Sequence, residues 1–453
     1  MTRDTSTQDD PFGYQEVEAA LLGRWPETRL DPTLSRIESL VDLAGSPHQA
    51  YRVVHLTGTN GKTSTSRMVD ALIRAHGLRT GRFTSPHVES MTERITIDGE
   101  PLSEAAFVEA YRDVISLVDI VDADGEHPMS YFEMMVAMAF AAFADAPVDV
   151  AVVEVGMGGA WDATNVVDAD VAVITPIAVD HVQFLGERSE EIAVEKAGII
   201  KAGSIVVVAE QTESVMAILA ERARQVGATL LREGIDFGVA HRAPAVGGQM
   251  VSLQGLHGVY VDVFLPLYGA HQAQNAALAL AATEALLADE ALEGSLVEEA
   301  FGSITSPGRL EVVRRGPVVL LDAAHNPHGM TATVEAIAEA FTFDPLIGVV
   351  GVMKDKDVEG ILAVLEPELA TIVCTQNSTP RAMPAEELGK VAEEIFGEHR
   401  VRVVPRLDEA ISTGVELAET GGALGESIGS GGLLITGSVV TVGQARTLLG
   451  GPR

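Results

Sequence analysis

The feature of this sequence that most constrains its fold is the alternation of short apolar runs with longer segments of helical periodicity. Runs such as "VDVAVVEVG", "DVAVITPI" and "PVVLLDAAH" are continuously apolar. Parallel strands that are covered on both faces have this character. Segments such as "TSRMVDALIRAHG" and "HGMTATVEAIAEAF" lie between such runs and have apolar residues at helical spacing. The alternation predicts an α/β fold with doubly wound sheets.

The chain has 453 residues, enough for two or three domains. A stretch rich in proline and glycine, "ITSPGRLEVVRRGP", spans residues 304–317 and follows a long helical pattern. It predicts a large N-terminal domain, residues 1–305, and a smaller C-terminal α/β domain, residues 306–453. Residues 239–267 alternate in polarity and contain glycines, which indicates antiparallel hairpins attached to the first domain.

Composition limits the partners and the location of the chain. The formal net charge is −34, which disfavours nucleic acid and anionic membranes as main partners. The longest nearly uncharged stretch, residues 132–144, falls short of the ~20 residues that cross a bilayer. The N-terminus lacks the apolar core of a signal peptide, and the single cysteine, Cys374, lies in an apolar run typical of a buried strand. We therefore expect a cytoplasmic protein.

The segment "HLTGTNGKTSTS", residues 55–66, has the pattern of a strand end, a glycine turn and a helix start. The standard phosphate loop has a glycine five residues before the Gly-Lys pair, where this chain has Leu56. Gly58 and Gly61 still let backbone N–H groups converge on an anion. Lys62 is placed to contact the β- and γ-phosphates, and Thr63 or a nearby hydroxyl to reach Mg²⁺. The alternative is an ordinary βα turn in which the glycines only allow tight packing.

Further polar residues follow other predicted strands, where ligands of open α/β sheets collect. Glu154 ends an apolar run and is a candidate Mg²⁺ ligand. Asp180 and His181 follow the next one, and the preference of Mg²⁺ for oxygen favours Asp180 over His181. Lys196 and Lys201 lie in "EKAGIIKAG", where spacing alone favours solvated helix lysines.

A second group of chemically active residues occurs in the predicted C-terminal domain. Asp322 and His325 lie in "LDAAHNPHG", and Arg309 lies in "SPGRLE". Each alone is more typical of a salt bridge or a helix cap. Two such groups in two domains predict an active site in the cleft between them.

The motifs together resemble the folylpolyglutamate synthases, and in particular the bacterial bifunctional type that is also a dihydrofolate synthase, a branch of the Mur ligase superfamily. They occur in family order between residues 36 and 438: "GTNGKTS", "TSPHVESMTERI", "SYFE", "EVGMGGAWDATN", "DHVQFLG", "EKAGI", "SPGRLE" and "DAAHNP". The short loop at residue 58 is the Mur ligase form of the phosphate loop. The resemblance implies a Mur-type P-loop domain followed by a Rossmann-like α/β domain.

The resemblance also implies a reaction and its partners. A carboxylate of dihydropteroate, tetrahydrofolate or a folate polyglutamate attacks the γ-phosphate of MgATP and forms an acyl phosphate. The amino group of L-glutamate then displaces phosphate and leaves an amide. Two Mg²⁺ ions, a carbamylated Lys196 and a monomeric protein are expected from the family, and His325 is a candidate for orienting glutamate or phosphate.

Residue roles carry over by motif. The ATP phosphates are assigned to Thr59, Asn60, Gly61 and Lys62, and the rest of the nucleotide to Asn275, Arg309 and Asp322. The metal ligands are Ser85, Glu154, His181 and the modified Lys196, which replaces the chemical preference for Asp180. The pteroate pocket is assigned to Leu30, Asp31, Pro32, Ser130, Tyr131, Phe132, Glu133, Asp162 and Ala163.

One position departs from the family pattern. The motif "GGR.DATN" has arginine where this chain has Ala160, so a cation beside the site is missing. Two other functions remain open on the sequence. One is a ligase for a nucleotide-linked peptidoglycan precursor, against which "SYFE" and "DHVQFLG" argue. The other is a nucleotide-binding regulatory protein with a degenerate ligase fold.

Overall fold

The computed structural model of this chain describes residues 13–26, 31–287, 291–420 and 431–450. The larger sheet consists of Arg52–Thr57 (β1), Thr80–Phe83 (β2), Ile95–Ile97 (β3), Glu100–Pro101 (β4), Val150–Glu154 (β5), Val171–Ile174 (β6), Ile205–Val208 (β7) and Thr229–Arg232 (β8). In the described residues these strands have the spatial order β4-β3-β2-β5-β1-β6-β7-β8. In this spatial order, each neighbouring pair from β2 through β5, β1, β6 and β7 to β8 is parallel. The strands β3 and β4 add an antiparallel edge next to β2.

Helices cover both faces of this sheet. They are Tyr14–Leu22 (α1), Ser35–Leu43 (α2), Lys62–Ala75 (α3), Glu104–Asp124 (α4), Tyr131–Asp145 (α5), Val182–Leu185 (α6), Ser189–Lys196 (α7), Glu213–Val226 (α8), Ala270–Leu287 (α9) and Gly294–Gly302 (α10). One core joins α3 and α9 to Val54 and Leu56 of β1. The core on the opposite face joins α4 and α5 to Val53 of β1 and Val153 of β5. Burial on both faces explains the continuously apolar strand sequences.

The strands Gly238–Ala245 (β9), Gly248–Gln254 (β10) and Val259–Leu265 (β11) form a three-stranded antiparallel sheet. The prediction of hairpins over residues 239–267 is confirmed. The inner side of this sheet joins the core of α3 and α9 through Val251, Leu253 and Leu265.

The C-terminal part forms a second sheet from Glu311–Arg315 (β12), Val318–Asp322 (β13), Leu346–Val350 (β14), Thr371–Cys374 (β15), Val401–Val403 (β16) and Gly432–Thr436 (β17). In the described residues its order is β12-β13-β17-β14-β15-β16, with β12 antiparallel at one edge. Its helices are Pro327–Ala340 (α11), Val358–Leu365 (α12), Ala385–Phe396 (α13), Leu407–Thr420 (α14) and Val439–Leu449 (α15). The predicted doubly wound class is therefore observed in both halves.

Two single-residue features bear on the sequence predictions. Cys374 is fully buried in β15, as expected, and burial raises the pKa of its thiol to about 12. The β2 strand, "TGRF", was not predicted because its Arg82 makes the segment polar. Arg82 is buried and pairs with Asp70 of α3 at 3.4 Å, so a tertiary ion pair permits it in the sheet.

Among the described residues, no helix is both long and apolar enough to span a bilayer.

The two halves meet where α15 packs on the loop that follows β2. Arg446 of α15 forms ion pairs with Glu89 of this loop and with Glu311 of β12. Gly443, one turn earlier, lies against the Val88 backbone, and a Cβ atom at Gly443 would overlap the Val88 carbonyl oxygen. Glycine is therefore the residue that allows this close approach.

We expect Gly443→Ala to lower the thermal unfolding midpoint, because the added methyl group forces α15 away from the loop. Overpacking of this kind costs about 1–3 kcal/mol. Gly294→Ala is the matched control, since a Cβ atom there meets nothing within 4 Å. Equal midpoints for the two variants would contradict the packing described here.

Candidate active site in the cleft between the domains

The turn between β1 and α3 has the backbone geometry of an anion-binding loop. Gly58 and Gly61 have φ angles of 148° and 91°, which favour glycine. A side chain at Gly58 would also overlap Thr175, and one at Gly61 would lie 2.6 Å from Asn275 Oδ1. The loop leads directly into the N-terminus of α3 at Lys62, where backbone N–H groups are free to bind an anion.

Two buried lysines converge on this loop. Lys62 Nζ donates to the Gly58 carbonyl oxygen at 3.0 Å, and Lys196 Nζ donates to the same oxygen at 2.9 Å. Burial, followed by the charge of Lys62, lowers the pKa of Lys196 to about 7. Burial also lowers the pKa of Lys62, against the opposing influence of Glu154. Lys196 is thus not a solvated helix lysine, contrary to what spacing alone favours. Lys201 is half-buried and donates to the carbonyl oxygens of Asn165 and Val167, both at 2.7 Å.

Glu154 lies at the carboxyl end of β5, opposite the start of α3. Its side chain is 1% exposed, and both carboxylate oxygens accept from Thr63 Oγ1, at 3.1 and 3.0 Å. Burial raises its pKa, although the charge of Lys62 opposes the shift. Within the described residues it forms no ion pair. A buried, unpaired carboxylate with a hydroxyl beside it is suited to a divalent cation.

Asp180 and His181 follow β6 and have different environments. Asp180 accepts from Lys356 Nζ at 2.6 Å and from Asn326 Nδ2 at 3.1 Å, so it connects the two domains. Burial favours a raised pKa for Asp180, but the hydrogen bond from His325 and the charge of Lys356 outweigh it and lower the pKa. His181 has a left-handed backbone, with φ of 53°. Burial, together with the charge of Lys356, lowers its pKa to about 4, so the imidazole is neutral near pH 7.

These residues line one cleft of about 400 Å³ between the two sheets. The first domain contributes Gly58, Thr59, Asn60, Gly61, Lys62, Thr63, Ser85, Glu154, His181, Lys196 and Asn275. The second domain contributes Arg309, Asp322, His325 and His328. The cleft contains all the residues assigned above to ATP, to metal and to catalysis, as the two-domain prediction requires.

The second domain reaches the phosphate loop through the start of α11. Asn326 caps this helix by accepting from Gly329 N at 2.8 Å. It also exchanges hydrogen bonds with Asn60 of the loop, at 3.1 and 3.3 Å. Asp322, at the end of β13, accepts from Leu310 N and Thr333 Oγ1, both at 2.8 Å. The DAAHNP segment is thereby fixed against the first domain.

A second cavity of about 380 Å³ adjoins this cleft. Of the residues assigned to pteroate, its walls include Asp31, Ser130, Phe132, Glu133, Asp162 and Ala163. Tyr131 is instead buried in the core, with the Arg94 guanidinium 5.0 Å from its ring centre, and Pro32 is not part of the described wall. Leu30 lies outside the described residues. The two tryptophans of the chain, Trp25 and Trp161, both line this cavity.

Ser130 and Glu133 have a local structural role as well. They form a capping box at the start of α5: Ser130 Oγ accepts from Glu133 N at 3.2 Å, and Glu133 Oε2 accepts from Ser130 N at 2.7 Å. Arg36 Nε also donates to Glu133, at 3.0 Å. The "SYFE" motif is therefore explained in part by helix capping.

Ala160, at the position of the family's arginine, is exposed and lines neither of the two cavities in the described structure. Its backbone N–H donates to the Glu195 carbonyl oxygen at 3.0 Å, and its own carbonyl accepts from Asn165 Nδ2 at 3.0 Å. The loop is thus held by its backbone, without a cation at this position.

Several residues of the two cavities were missed from the sequence. They include Trp25, Arg36, His271, Gln272, His328 and Lys356. Lys356 follows the end of β14, and its position beyond a parallel strand was a usable signal. Trp25 and His271 lie in segments with no recognisable pattern, and only the tertiary fold brings them to the site.

Comparisons with known proteins agree with this geometry. The model of the Mur ligase middle domain matches residues 56–283, and that of the Mur ligase glutamate ligase domain matches residues 308–431. The dihydrofolate synthase/folylpolyglutamate synthase of Mycobacterium tuberculosis is 50% identical over 98% of this chain and 95% of its own length. The Bacillus subtilis protein of that name is 35% identical over 84% of this chain and 89% of its own length.

Solved structures give the same result. A Mycobacterium tuberculosis folylpolyglutamate synthase complexed with ADP superposes with a TM-score of 0.94 at 50% identity and covers 97% of this chain and 98% of its own. An Escherichia coli relative in complex with DHPP and ADP has a TM-score of 0.85 at 28% identity and covers 98% and 99% of the two chains.

The two domain matches cover most of both sheets and most of the residues that line the cleft, which defines a Mur ligase, an ATP-dependent ligase. The chain belongs, within that class, to the dihydrofolate synthase/folylpolyglutamate synthase family. The resemblance noted from the sequence motifs is confirmed. The boundary between residues 305 and 306 stays a prediction, since the family models leave residues 284–307 between them.

We expect Asp180→Asn to act through domain contact and not through metal binding. Loss of the charge that pairs with Lys356 should destabilise the closed cleft by up to about 3–5 kcal/mol, the cost of breaking a buried ion pair. The Mg²⁺ concentration that gives half-maximal activity should stay unchanged. His181→Ala is the comparison, because it should raise that concentration. A raised Mg²⁺ requirement in Asp180→Asn would restore Asp180 as a metal ligand.

Proposed function

We propose that this chain adds L-glutamate to dihydropteroate and to tetrahydrofolate or its polyglutamates, through an acyl-phosphate intermediate. One observation carries the proposal: the cleft and the second cavity share a wall. The shared residues are Ser85, Pro86, Gly156, Met157, His181, His325 and Val439. A carboxylate that extends from the second cavity would thus meet the terminal phosphate of a nucleotide in the cleft. This junction is the place where the reaction requires two substrates to touch.

The nucleotide phosphates bind the loop from Gly58 to Lys62 and the first turn of α3. Lys62 moves its ammonium group from the Gly58 carbonyl to the transferring phosphoryl group and neutralises the charge that spreads over its oxygens. Asn275, Arg309 and Asp322 hold the nucleotide from the other side of the cleft. The ADP complex of the Mycobacterium tuberculosis relative supports this assignment.

Ser85, Glu154 and His181 are the proposed Mg²⁺ ligands. Two features support the fit: Glu154 is buried with no cation partner among the described residues, and His181 is a neutral imidazole. The described residues contain no cluster of three or more His, Cys, Asp or Glu side chains suited to a metal. The proposed set has only two residues of those types and relies also on a serine, Lys196 and nucleotide oxygens. Bound Mg²⁺ would neutralise charge on the phosphates during transfer.

Lys196 is proposed to be carbamylated. The ammonium group would first lose one proton; the neutral amine would then attack CO₂, form a C–N bond and lose a second proton, so that a cation becomes an anion. Two observations support this. Lys196 is buried beside Lys62, where a second ammonium group is unfavourable. The ammonium group of Lys196 is readily deprotonated because burial lowers its pKa. Burial and the charge of Lys62 account for this lowered pKa.

The second cavity is the proposed site for the pteroyl group. Aromatic side chains from separate parts of the chain line it, namely Trp25, Phe132, Trp161 and Phe184. Flat heterocycles bind well between such rings. The DHPP complex of the Escherichia coli relative supports a folate precursor as ligand.

L-glutamate then enters at the junction, and closure of the two domains keeps water from the acyl phosphate. His325 lies at this junction, 3.5 Å from Asp180, and is proposed to orient glutamate or the departing phosphate. A cytoplasmic location and a monomeric state fit such an enzyme and are also proposed.

The proposal is tested by glutamate-dependent ADP release, with dihydropteroate and tetrahydrofolate compared as acceptors. Release with both acceptors is expected. Turnover only with a nucleotide-linked peptide precursor would assign the chain to another branch of the superfamily. Absence of turnover with any acceptor, despite nucleotide binding, would favour the regulatory alternative.

Lys62→Ala should lower kcat by roughly 10²–10³ or more, because the side chain stabilises charge that moves during phosphoryl transfer. The thermal unfolding midpoint should change little. Lys390→Ala, at an exposed lysine of α13, is the matched control. Near-normal turnover in Lys62→Ala would rule out the phosphate-loop assignment.

Lys196→Arg should lose most activity, because a guanidinium stays protonated and does not react with CO₂. Lys196→Ala should be inactive but partly restored by acetate, which supplies the missing carboxylate. The rates of both variants, with and without acetate, provide the measurement. Full activity in Lys196→Arg would exclude the carbamate.

A further inference from the structure

A buried chain of hydrogen bonds runs from the central strand β1 to the wall of the second cavity. His55 of β1 is 0% exposed, and its Nε2 lies 2.9 Å from Thr164 Oγ1. Thr164 Oγ1 lies 2.5 Å from Asp162 Oδ1. Asp162 lines the cavity proposed for the pteroyl group, while His55 and Thr164 lie behind it.

The direction of each hydrogen bond follows from the chemistry of its members. Burial raises the pKa of Asp162 to about 6, so the group is an acceptor-only carboxylate at pH 7.5 to 8, a range that we choose for assays. The Thr164 hydroxyl therefore donates to Asp162, and its oxygen accepts from His55. Burial lowers the pKa of His55 to about 3, so the ring is neutral and carries its proton on Nε2. Nδ1 of this ring is buried without a hydrogen-bond partner in the described structure.

The chain fixes the carboxylate in one orientation. Asp162 Oδ1 accepts from both the N–H and the hydroxyl of Thr164, and Oδ2 accepts from Met157 N at 2.9 Å. Each carboxylate oxygen has two lone-pair sites, so Oδ1 is fully used, and the Gly156 backbone N–H also acts on the carboxylate and helps to fix it. A carboxylate fixed in this way in the cavity wall suits a flat heterocycle edge that presents N–H donors.

The presence of His55 in this strand has a cost. It interrupts the apolar sequence "RVVHLT" at the centre of the sheet, and its unpartnered Nδ1 atom has lost its hydration without gaining a hydrogen bond, which is destabilising. A valine or leucine would avoid that penalty. What the histidine provides is one N–H donor at the Thr164 hydroxyl.

We infer that His55 and Thr164 are positioning residues for the folate substrate, which orient the Asp162 carboxylate from behind. The inference rests on the proposed use of the second cavity for the pteroyl group. His55 itself touches neither substrate nor nucleotide. The alternative is a purely structural link between β1 and the turn at residues 163–166.

The test uses four variants in two pairs. His55→Leu and Thr164→Val remove a hydrogen bond, whereas His55→Gln and Thr164→Ser retain a donor and a hydroxyl respectively. His48→Leu is the control, since His48 is also a buried histidine with an unpartnered Nδ1 and packs 5.9 Å from Phe140, away from Asp162. Binding of dihydropteroate is measured by quenching of Trp25 and Trp161, and KM and kcat for each substrate by ADP release.

His55→Leu and Thr164→Val are expected to weaken dihydropteroate binding and raise its KM roughly tenfold, as loss of a supporting hydrogen bond does at other sites. The KM for ATP should stay unchanged. His55→Gln and Thr164→Ser should recover most of the loss, and His48→Leu should lower only the unfolding midpoint. If His55→Leu does not fold, the comparison of dihydropteroate binding and KM between Thr164→Val and Thr164→Ser is sufficient to test the inference.

Unchanged dihydropteroate binding in Thr164→Val and His55→Leu would overturn the inference and leave a structural link. An equal rise in the KM values for ATP and dihydropteroate would overturn it as well. Failure of the unmodified protein to bind dihydropteroate would instead overturn the proposed function of the cavity. The two failures are thus distinguishable.

Discussion

The Gly58 carbonyl oxygen accepts hydrogen bonds from the side-chain nitrogens of Lys62 and Lys196, and the site is organised around this shared acceptor. The ammonium group of Lys62 disfavours a second cation at Lys196, and burial together with this charge lowers the pKa of Lys196 to about 7. A phosphate brought to this point offers Lys62 several anionic oxygens in place of the one carbonyl oxygen that it shares with Lys196. The loop is therefore prearranged for the charge that develops in phosphoryl transfer, the feature on which electrostatic catalysis depends.

Much of the fold was predictable because its central strands are buried on both faces. A strand such as β5 is apolar at every position before its last residue, Glu154, and that pattern is visible without tertiary information. The strands β2, β3 and β4 were not predictable in this way. They are short, and β2 contains Arg82, whose burial depends on Asp70 of a different element. The sequence around Arg82 does not show that Asp70 will lie beside it, because only folding brings the two residues together.

The residues of the site likewise fall into two groups, those that local sequence predicts and those that only the tertiary fold brings together. Residues directly after β1, β5, β6 and β13 were found because parallel strands end at one edge of a sheet. Asp180 shows the limit of chemical preference: a carboxylate in the right place has its charge used by Lys356 of the other domain. Trp25 reaches the second cavity from the N-terminal segment, where no periodicity or motif marks it. Such residues are identified only when both domains are folded together.

A net charge of −34 is an electrostatic problem for a protein that binds ATP and carboxylates. Two features reduce the problem: most surface carboxylates lie far from the cleft, and the cations of the cleft are at least partly buried. Surface carboxylates more than about 8–10 Å from the cleft are screened at physiological ionic strength. Lys62, Arg309 and Lys356 line the two adjoining cavities, where their partial burial reduces screening by solvent. The electrostatic potential at the phosphate loop is therefore set by a few cations of the cavities. The negative net charge of the whole chain mainly favours solubility.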